Sequence, residues 1–453
     1  MKFYIKTFGC QMNVNESEIM SGLLTREGYE WTENPENANL IILNTCAVRE
    51  KAENKMHGAI GEYGRFKNKN KDLILAVGGC SSEKERDEIL KRHKKVNFIF
   101  GTRNVVDIVN MVNRAKRGEK FSDFSDKLSD MSHDLPKMPN SLHHAWVTIQ
   151  YGCNKYCSYC IVPYTRGFEK SRDFEDIINE VKDYAKKGYR EITFLGQNVD
   201  SYGKDFGDGK PKLDKLIKEA AKVEGIERIW FMTSYPSDIT DELIDTIAKE
   251  PKAANYFHLP VQAGSNNMLE AMNRKYTKEQ FYKLVHRVRS KVKGVTLSTD
   301  IIVGFPGETH EDYLETLQLI KDIRFEKVNI AEYSPREGTI AAKFKEDNVS
   351  KEEKNKRLME IVEIEKNIGR EENEKYAEKI IRVIQEGKTK HGMHFGRTIN
   401  NKVVMFDSID EYNGKYVDVK IRRVSAGPLY GQKIADETQV DFKKEDPTLK
   451  IFD

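Results

Sequence analysis

The sequence predicts an α/β protein of three modules: an N-terminal parallel α/β domain, a central partial (βα)6 barrel, and a small C-terminal antiparallel β-barrel. Three observations predict it. Apolar runs alternate with amphipathic stretches at the start; six strand-like runs separated by helical patterns follow; short β-like runs punctuated by glycine close the chain. At roughly 100–200 residues per domain, a chain of 453 residues has room for all three.

The first module is expected over residues 1–117, with apolar runs at Phe3–Phe8, Ile19–Leu24, Leu40–Leu43 and Leu73–Val77. Cys10, Cys46 and Cys80 each fall just past such a run, as Gly9-Cys10, Asn44-Thr45-Cys46 and Gly78-Gly79-Cys80. Three strand-end loops thus each present one thiol, at the edge where open parallel sheets bind ligands. Residues 118–144 are polar, hold two prolines and lack a sustained period, so they read as a linker.

The barrel is expected over residues 145–374, from strand-like runs at Ala145–Gln150, Ile192–Leu195, Ile229–Met232, Phe257–Val261, Thr296–Val303 and Val328–Tyr333. Six βα units are too few to close an eight-stranded barrel, so the barrel is open, with its site at the carboxyl ends of the strands. Ser350-Lys351-Glu352-Glu353 has capping-box form and starts a helix leading into the last module, residues 375–440. Glycines at 387, 392, 396 and 414 separate its short β-like runs, and residues 441–453 form a tail.

Composition bounds the class. Hydrophobic residues make up 38% and charged residues 32%, which suits packed cores beneath a well-solvated surface. The chain begins like a strand at Met1–Lys6, and no apolar run approaches a signal core or membrane span, so a cytoplasmic address without membrane attachment is expected. A net charge of +3 does not imply nucleic acid. Its distribution matters more, because residues 375–436 hold twelve Lys/Arg against seven Asp/Glu. Phe395, Arg397, Lys402, Arg422 and Arg423 combine cations with an aromatic there, as in surfaces that track phosphates and stack bases; a merely solvated basic face is the alternative.

In reducing cytosol six cysteines point to metal or redox roles rather than disulfides. Cys153, Cys157 and Cys160 form a CxxxCxxC loop after the first barrel strand. Thiolates suit iron–sulfur clusters, and three thiols on a four-iron cluster leave one iron open to chelate a small molecule. A structural zinc would want a fourth Cys or His, which Ile161-Val162-Pro163-Tyr164 does not offer. Cys10, Cys46 and Cys80 lack compact metal spacing and can meet only through folding; three buried unreactive cysteines is the other reading.

The CxxxCxxC loop after the first strand of a partial barrel resembles the radical S-adenosylmethionine superfamily. Lys6–Asn13, Asn44-Thr45-Cys46-Ala47-Val48-Arg49 and Gly78-Gly79-Cys80 are similar to the three cluster-binding segments of its methylthiotransferase family. The module order agrees: cluster domain, radical barrel, then an RNA-binding barrel called TRAM. The resemblance spans essentially the whole chain and implies two 4Fe-4S clusters, one on Cys10, Cys46 and Cys80 and one on Cys153, Cys157 and Cys160. It also implies S-adenosylmethionine at the second cluster, contacted by Tyr159, Gly196, Gln197, Asn198, Asp300 and Gly304. His258 lies at another strand end, where a satisfied structural role and a catalytic one are both open.

Pro163-Tyr164-Thr165-Arg166-Gly167 and Gly196–Gly203 most resemble the MiaB type within the family. That likeness implies methylthiolation of N(6)-dimethylallyladenosine 3′ of the tRNA anticodon, one S-adenosylmethionine giving the methyl group and a second the 5′-deoxyadenosyl radical. An electron donor such as flavodoxin or ferredoxin is implied as well. Sister types act on threonylcarbamoyl-adenosine in tRNA or on a ribosomal-protein aspartate. A non-catalytic iron–sulfur RNA-binding protein is the reading from a different class.

Overall fold

The protein is described by a computed structural model over residues 1–48, 50–127, 135–139, 141, 143–207, 212–344, 348–407 and 414–434. Six parallel strands form the first sheet: β1 (Lys2–Phe8), β2 (Glu30–Trp31), β3 (Leu40–Thr45), β4 (Ile74–Gly79), β5 (Phe98–Phe100) and β6 (Phe121–Asp123). Their order is β2-β1-β3-β4-β5-β6. The two central strands, β3 and β4, are buried at every residue, which is why they read as unbroken apolar runs. Register aligns Phe8 with Thr45 and Thr45 with Gly79, so β1, β3 and β4 end in one row. The run Ile19–Leu24 belongs to the helix Gln11–Arg26 that crosses back over this sheet.

The stretch read as a linker is partly built structure. Its residues Phe121–Asp123 are β6, anchored where Phe121 stacks on Phe98 at 5.2 Å beneath the Arg114 guanidinium at 3.6 Å. Farther along, the Lys137 ammonium is buried against Glu180 of the barrel domain, and a Cβ at Gly22 would lie 2.2 Å from the Pro136 carbonyl oxygen. Polar composition hid this, because the contacts that bury the segment come from other modules. Residues 128–134, 140 and 142, and the tail 441–453, lie outside the described residues.

The barrel opens with β7 (His144–Thr148), followed by a short antiparallel pair, β8 (Gln150–Tyr151) and β9 (Lys170–Ser171). Five more parallel strands complete it: β10 (Glu191–Leu195), β11 (Arg228–Phe231), β12 (Tyr256–His258), β13 (Thr296–Val303) and β14 (Lys327–Glu332). They form two three-stranded sheets, β11-β10-β7 and β12-β13-β14, joined by a parallel bridge between Ile229 and Ala253. Amphipathic helices such as Phe174–Lys186 and Lys278–Lys291 bury Ile177, Val181, Phe281 and Val288 against the outside of the strands. This is the open six-stranded barrel that six βα units imply.

Ser350 caps the helix Lys351–Glu374, accepting from the Glu353 N–H at 3.2 Å. Beyond it β15 (Ile380–Lys388), β16 (His394–Arg397), β17 (Val403–Asp407), β18 (Tyr416–Arg423) and β19 (Leu429–Lys433) close a barrel in the order β15-β16-β17-β19-β18. Its pairings are antiparallel except β17 with β19, which run parallel. This small barrel is seated on the larger one: Arg228 Nη1 donates to the Arg397 carbonyl at 2.8 Å, the Asn255 N–H to Ile399 at 3.1 Å, and Arg190 Nη1 to Gly414 at 3.0 Å. Among the described residues no helix is long and apolar enough to cross a membrane.

Candidate active site

Because β1, β3 and β4 end flush, the thiols of Cys10, Cys46 and Cys80 emerge side by side from three adjacent loops. A buried amide lattice ties the loops together: Asn13 Nδ2 donates to Asn44 Oδ1 at 3.1 Å, and Asn44 Nδ2 to the Asn13 carbonyl at 2.8 Å. Cys46 donates to Cys10, which pulls the Cys10 thiol well below its ordinary value and pushes Cys46 up. Cys10 also stands at the N-cap of Gln11–Arg26, where the helix dipole favours a thiolate. Burial pushes the Cys80 thiol up to about 11, while the Arg166 cation acts against that rise. Cys10 is exposed; Cys46 and Cys80 are buried.

Cys153, Cys157 and Cys160 lie on the loop after β8. Burial and the Cys157 charge push the Cys160 thiol up to about 12, and burial pushes Cys153 up to about 11, so both need an external cation to stay ionised. Arg274 supplies part of it. Its guanidinium is buried and donates to Cys157 Sγ at 3.3 Å, to Tyr276 at 2.9 Å and to the Pro260 carbonyl at 2.6 Å. No carboxylate among the described residues forms an ion pair with it. A buried cation facing thiols, without a carboxylate, suits an anionic thiolate-ligated centre.

The loop continues from Cys160 into the short helix Val162–Arg166, which packs against Cys80–Glu85 of the first module. Ile161 sits in one apolar cluster with Ala47 and Cys80. Arg166 then reaches among the N-terminal thiols: Nη1 donates to the buried Glu16 at 2.6 Å, and Nη2 is buried without a hydrogen-bond partner. Against its burial, the charges of Cys80, Glu16 and Cys10 hold this guanidinium protonated. Among the described residues no three His, Cys, Asp or Glu side chains are grouped tightly enough for a single metal ion. Soft, all-thiol donor sets beside buried cations suit iron–sulfur clusters.

The sequence-predicted cofactor residues divide. Gln197 Oε1 and Asn198 Oδ1 are buried at the end of β10 with no hydrogen-bond partner, while Asn198 Nδ2 is committed to Asp238 at 2.7 Å. Tyr159 receives a bond from Arg274 at 3.5 Å. Asp300 accepts from His258 Nε2 at 3.2 Å and Asn329 Nδ2 at 3.0 Å; against burial, these hold its carboxyl below the ordinary value. His258 is bonded at Nδ1 to Ser298 as well, at 2.7 Å, so its structural role is satisfied. Gly196 and Gly304 do not lie against open space: a Cβ at Gly196 would touch Gln150 and Val199 at 3.3 Å, and one at Gly304 would fall 2.3 Å from the Lys354 stem. Their smallness is used by neighbouring side chains.

Of the residues expected to contact RNA, Arg422 and Arg423 are exposed on β18, where Arg422 pairs with Glu378 at 3.0 Å and Arg423 lies 3.6 Å over the Tyr430 ring. Phe395 and Arg397 face the central barrel. Lys402 is a correction. It is buried and donates to Asn373 Oδ1 at 2.9 Å, so it ties the small barrel to the helix Lys351–Glu374 instead of standing on the exposed face.

Gly152 fixes the entry to the cluster loop. Its φ is +71° and a Cβ would lie 2.0 Å from the Phe168 carbonyl oxygen. Gly152→Ala should cost about 1–2 kcal/mol of backbone strain before the clash is relieved. The expected result is a lower melting temperature and less iron on the barrel triad, checked by iron assay after reconstitution; full iron loading at unchanged stability would contradict it.

Sequence comparison matches residues 2–101 to "Uncharacterized protein family UPF0004", 147–320 to the "Radical SAM superfamily" and 374–434 to the "TRAM domain". A tRNA-2-methylthio-N(6)-dimethylallyladenosine synthase of Petrotoga mobilis is 66% identical over 96% of this chain and 99% of its own. That of Thermotoga petrophila is 52% identical over 96% and 97%, and that of Bacillus cytotoxicus 43% identical over 97% and 87%. Among solved structures, the radical S-adenosylmethionine methyltransferase TsrM of Kitasatospora setae superposes with a TM-score of 0.55 at 13% identity, over 73% of this chain and 72% of that one. The cobalamin-dependent radical enzyme OxsB gives 0.52 at 13% identity, over 78% and 56%; both likenesses concern the fold. On these relatives, this module order and its paired cysteine triads, the chain belongs to the tRNA-2-methylthio-N(6)-dimethylallyladenosine synthase family of radical S-adenosylmethionine enzymes.

Proposed function

We propose that this protein methylthiolates carbon 2 of N(6)-dimethylallyladenosine next to the tRNA anticodon, with Cys10, Cys46 and Cys80 holding one 4Fe-4S cluster and Cys153, Cys157 and Cys160 another. The reading is carried by the convergence of the two triads: Arg166, six residues past Cys160, is buried among the charges of Cys10 and Cys80. Carbon 2 carries an aromatic hydrogen that no side-chain base removes near pH 7. When bound, the barrel cluster and S-adenosylmethionine supply the 5′-deoxyadenosyl radical that can abstract it.

The chain's own residues hold and orient. Arg274 offsets negative charge at Cys157, and Arg166 does the same at Cys10 and Cys80. The free amide oxygens of Gln197 and Asn198 and the ionised Asp300 accept hydrogen bonds from S-adenosylmethionine at the strand ends. Tyr159 lies beside Arg274, on the cysteine loop. Arg422 and Arg423, the latter stacked on Tyr430, meet the tRNA backbone, so affinity falls as salt rises through counterion release. The base leaves its stack to reach the site. A cytoplasmic address and a flavodoxin- or ferredoxin-type electron donor complete the reading.

The test uses the reconstituted full chain, S-adenosylmethionine, a reductant and a prenylated anticodon stem-loop deuterated at carbon 2. Mass spectrometry should find deuterium in 5′-deoxyadenosine and a 2-methylthio nucleoside in the RNA. Product formed without that transfer, or 5′-deoxyadenosine without methylthio product under full cluster loading, overturns the reading.

A further inference from the structure

A cavity of about 680 Å³ lies between the central barrel and the C-terminal one, within the range of a small-ligand site. One end reaches Gln11, the neighbour of Cys10; the other is closed by Phe395 and Arg397 of the small barrel. Between them its wall carries Trp146, Trp230, Met232 and Tyr256 from the inner faces of the strands. The polar atoms of this stretch are engaged with each other: His144 Nε2 with Thr193 at 2.8 Å, and the Tyr256 hydroxyl with Ser298 at 2.6 Å. Burial also keeps the His144 imidazole neutral. Charged side chains gather at the far end: Glu191 pairs with Arg228 behind it at 2.9 Å, Lys327 with Glu365 at 2.8 Å and Arg397 with Glu386, and Glu326 and Lys402 line it as well.

We propose that the aromatic wall of Trp146, Trp230, Met232 and Tyr256 receives the dimethylallyl arm of the substrate adenine. The inference rests on the substrate reading above. An uncharged wall beside a thiol-bearing loop suits a five-carbon alkenyl group on a base whose reacting carbon must approach that loop. Carbon 2 and carbon 6 flank N1 on one edge of adenine, so anchoring the substituent on N6 fixes where carbon 2 lies. The wall therefore acts in specificity and in positioning.

Two of the chain's three tryptophans are in this wall, and the third, Trp31, is 45% exposed at the edge of the first module. A Trp31→Phe holoenzyme thus reports the cavity by its emission. Anticodon stem-loops carrying adenosine or N(6)-dimethylallyladenosine are titrated into it. The prenylated RNA should change the emission and bind more tightly, and the unmodified RNA should leave emission nearly unchanged. Trp230→Leu and, separately, Met232→Asn should lower the preference for the prenylated RNA by about tenfold to a hundredfold. Affinity for the unmodified RNA should hold in both variants, which shows that they fold. Prenyl preference that survives both substitutions, or equal emission changes with the two RNAs, overturns the cavity assignment alone. Equal turnover of both RNAs by the unaltered enzyme overturns the substrate reading, and this inference with it.

Discussion

Cys157→Ala is expected to give no detectable 5′-deoxyadenosine and no methylthiolated tRNA, while the N-terminal triad still takes up its iron. With Cys153 and Cys160 alone, a four-iron cluster would keep two protein ligands instead of three. Arg274 would face the vacated position from a buried site with its Sγ contact gone, so some stability is lost as well, on the order of 1–3 kcal/mol for an unmade bond to a charged group. The first triad should survive because the downstream half of the loop is anchored independently. Thr102 Oγ1 donates to the Thr165 carbonyl at 3.2 Å, Arg103 Nη2 to the Arg166 carbonyl at 2.8 Å, and Arg166 to Glu16. Iron should fall from about eight per chain to about four, counting four per cluster. Simultaneous loss of both clusters in iron analysis and Mössbauer spectra would show that the triads do not assemble separately.

Arg166→Met should be the most destabilising single change at the junction between modules. It leaves the fully buried Glu16 without its cation, and breaking a buried pair from one side costs about 3–5 kcal/mol. The sign can be checked with a second substitution. Glu16→Gln in the same chain removes the stranded charge and should restore most of the melting temperature, yet the cation beside Cys10 and Cys80 remains absent. The double variant is therefore expected to be stable but to show an altered reduction potential for the N-terminal cluster. A double variant as unstable as the single one would mean that Arg166 acts through packing rather than through the pair.

The two cysteine triads were legible in the sequence because thiols are few and their loops follow strand-like runs. Arg166 and Arg274 were not, although Arg166 lies within a quoted motif, because their meaning comes from partners 150 and 117 positions away. Strands β2, β5 and β6 have two or three residues each and carry too little period to be read. Lys402 misled because a lysine in a basic module is ordinarily at the surface; its burial depends on the Asn373 side-chain oxygen Oδ1, on a helix in the preceding module. The parallel pairing of β17 with β19 was invisible for a similar reason, since no turn signal marks a strand that returns beside a non-neighbour.

The seating of the small barrel on the large one has a thermodynamic consequence. Arg228, fully buried, spends its hydrogen bonds on the Arg397 and Thr398 carbonyls, and Asn373 donates to Ser425 and Gly427. Peeling the C-terminal module away would break these bonds and open the buried Arg228–Glu191 pair to water, so neither module has a native state indifferent to the other. Calorimetry of the full chain should show the two melting as one cooperative unit, and a chain ended near Ile368 should melt at lower temperature even before tRNA is added. The last module thus behaves as part of the barrel's own folding unit, and grafting it from a distant relative would succeed only if the graft carried the matching face of the helix Lys351–Glu374 with it.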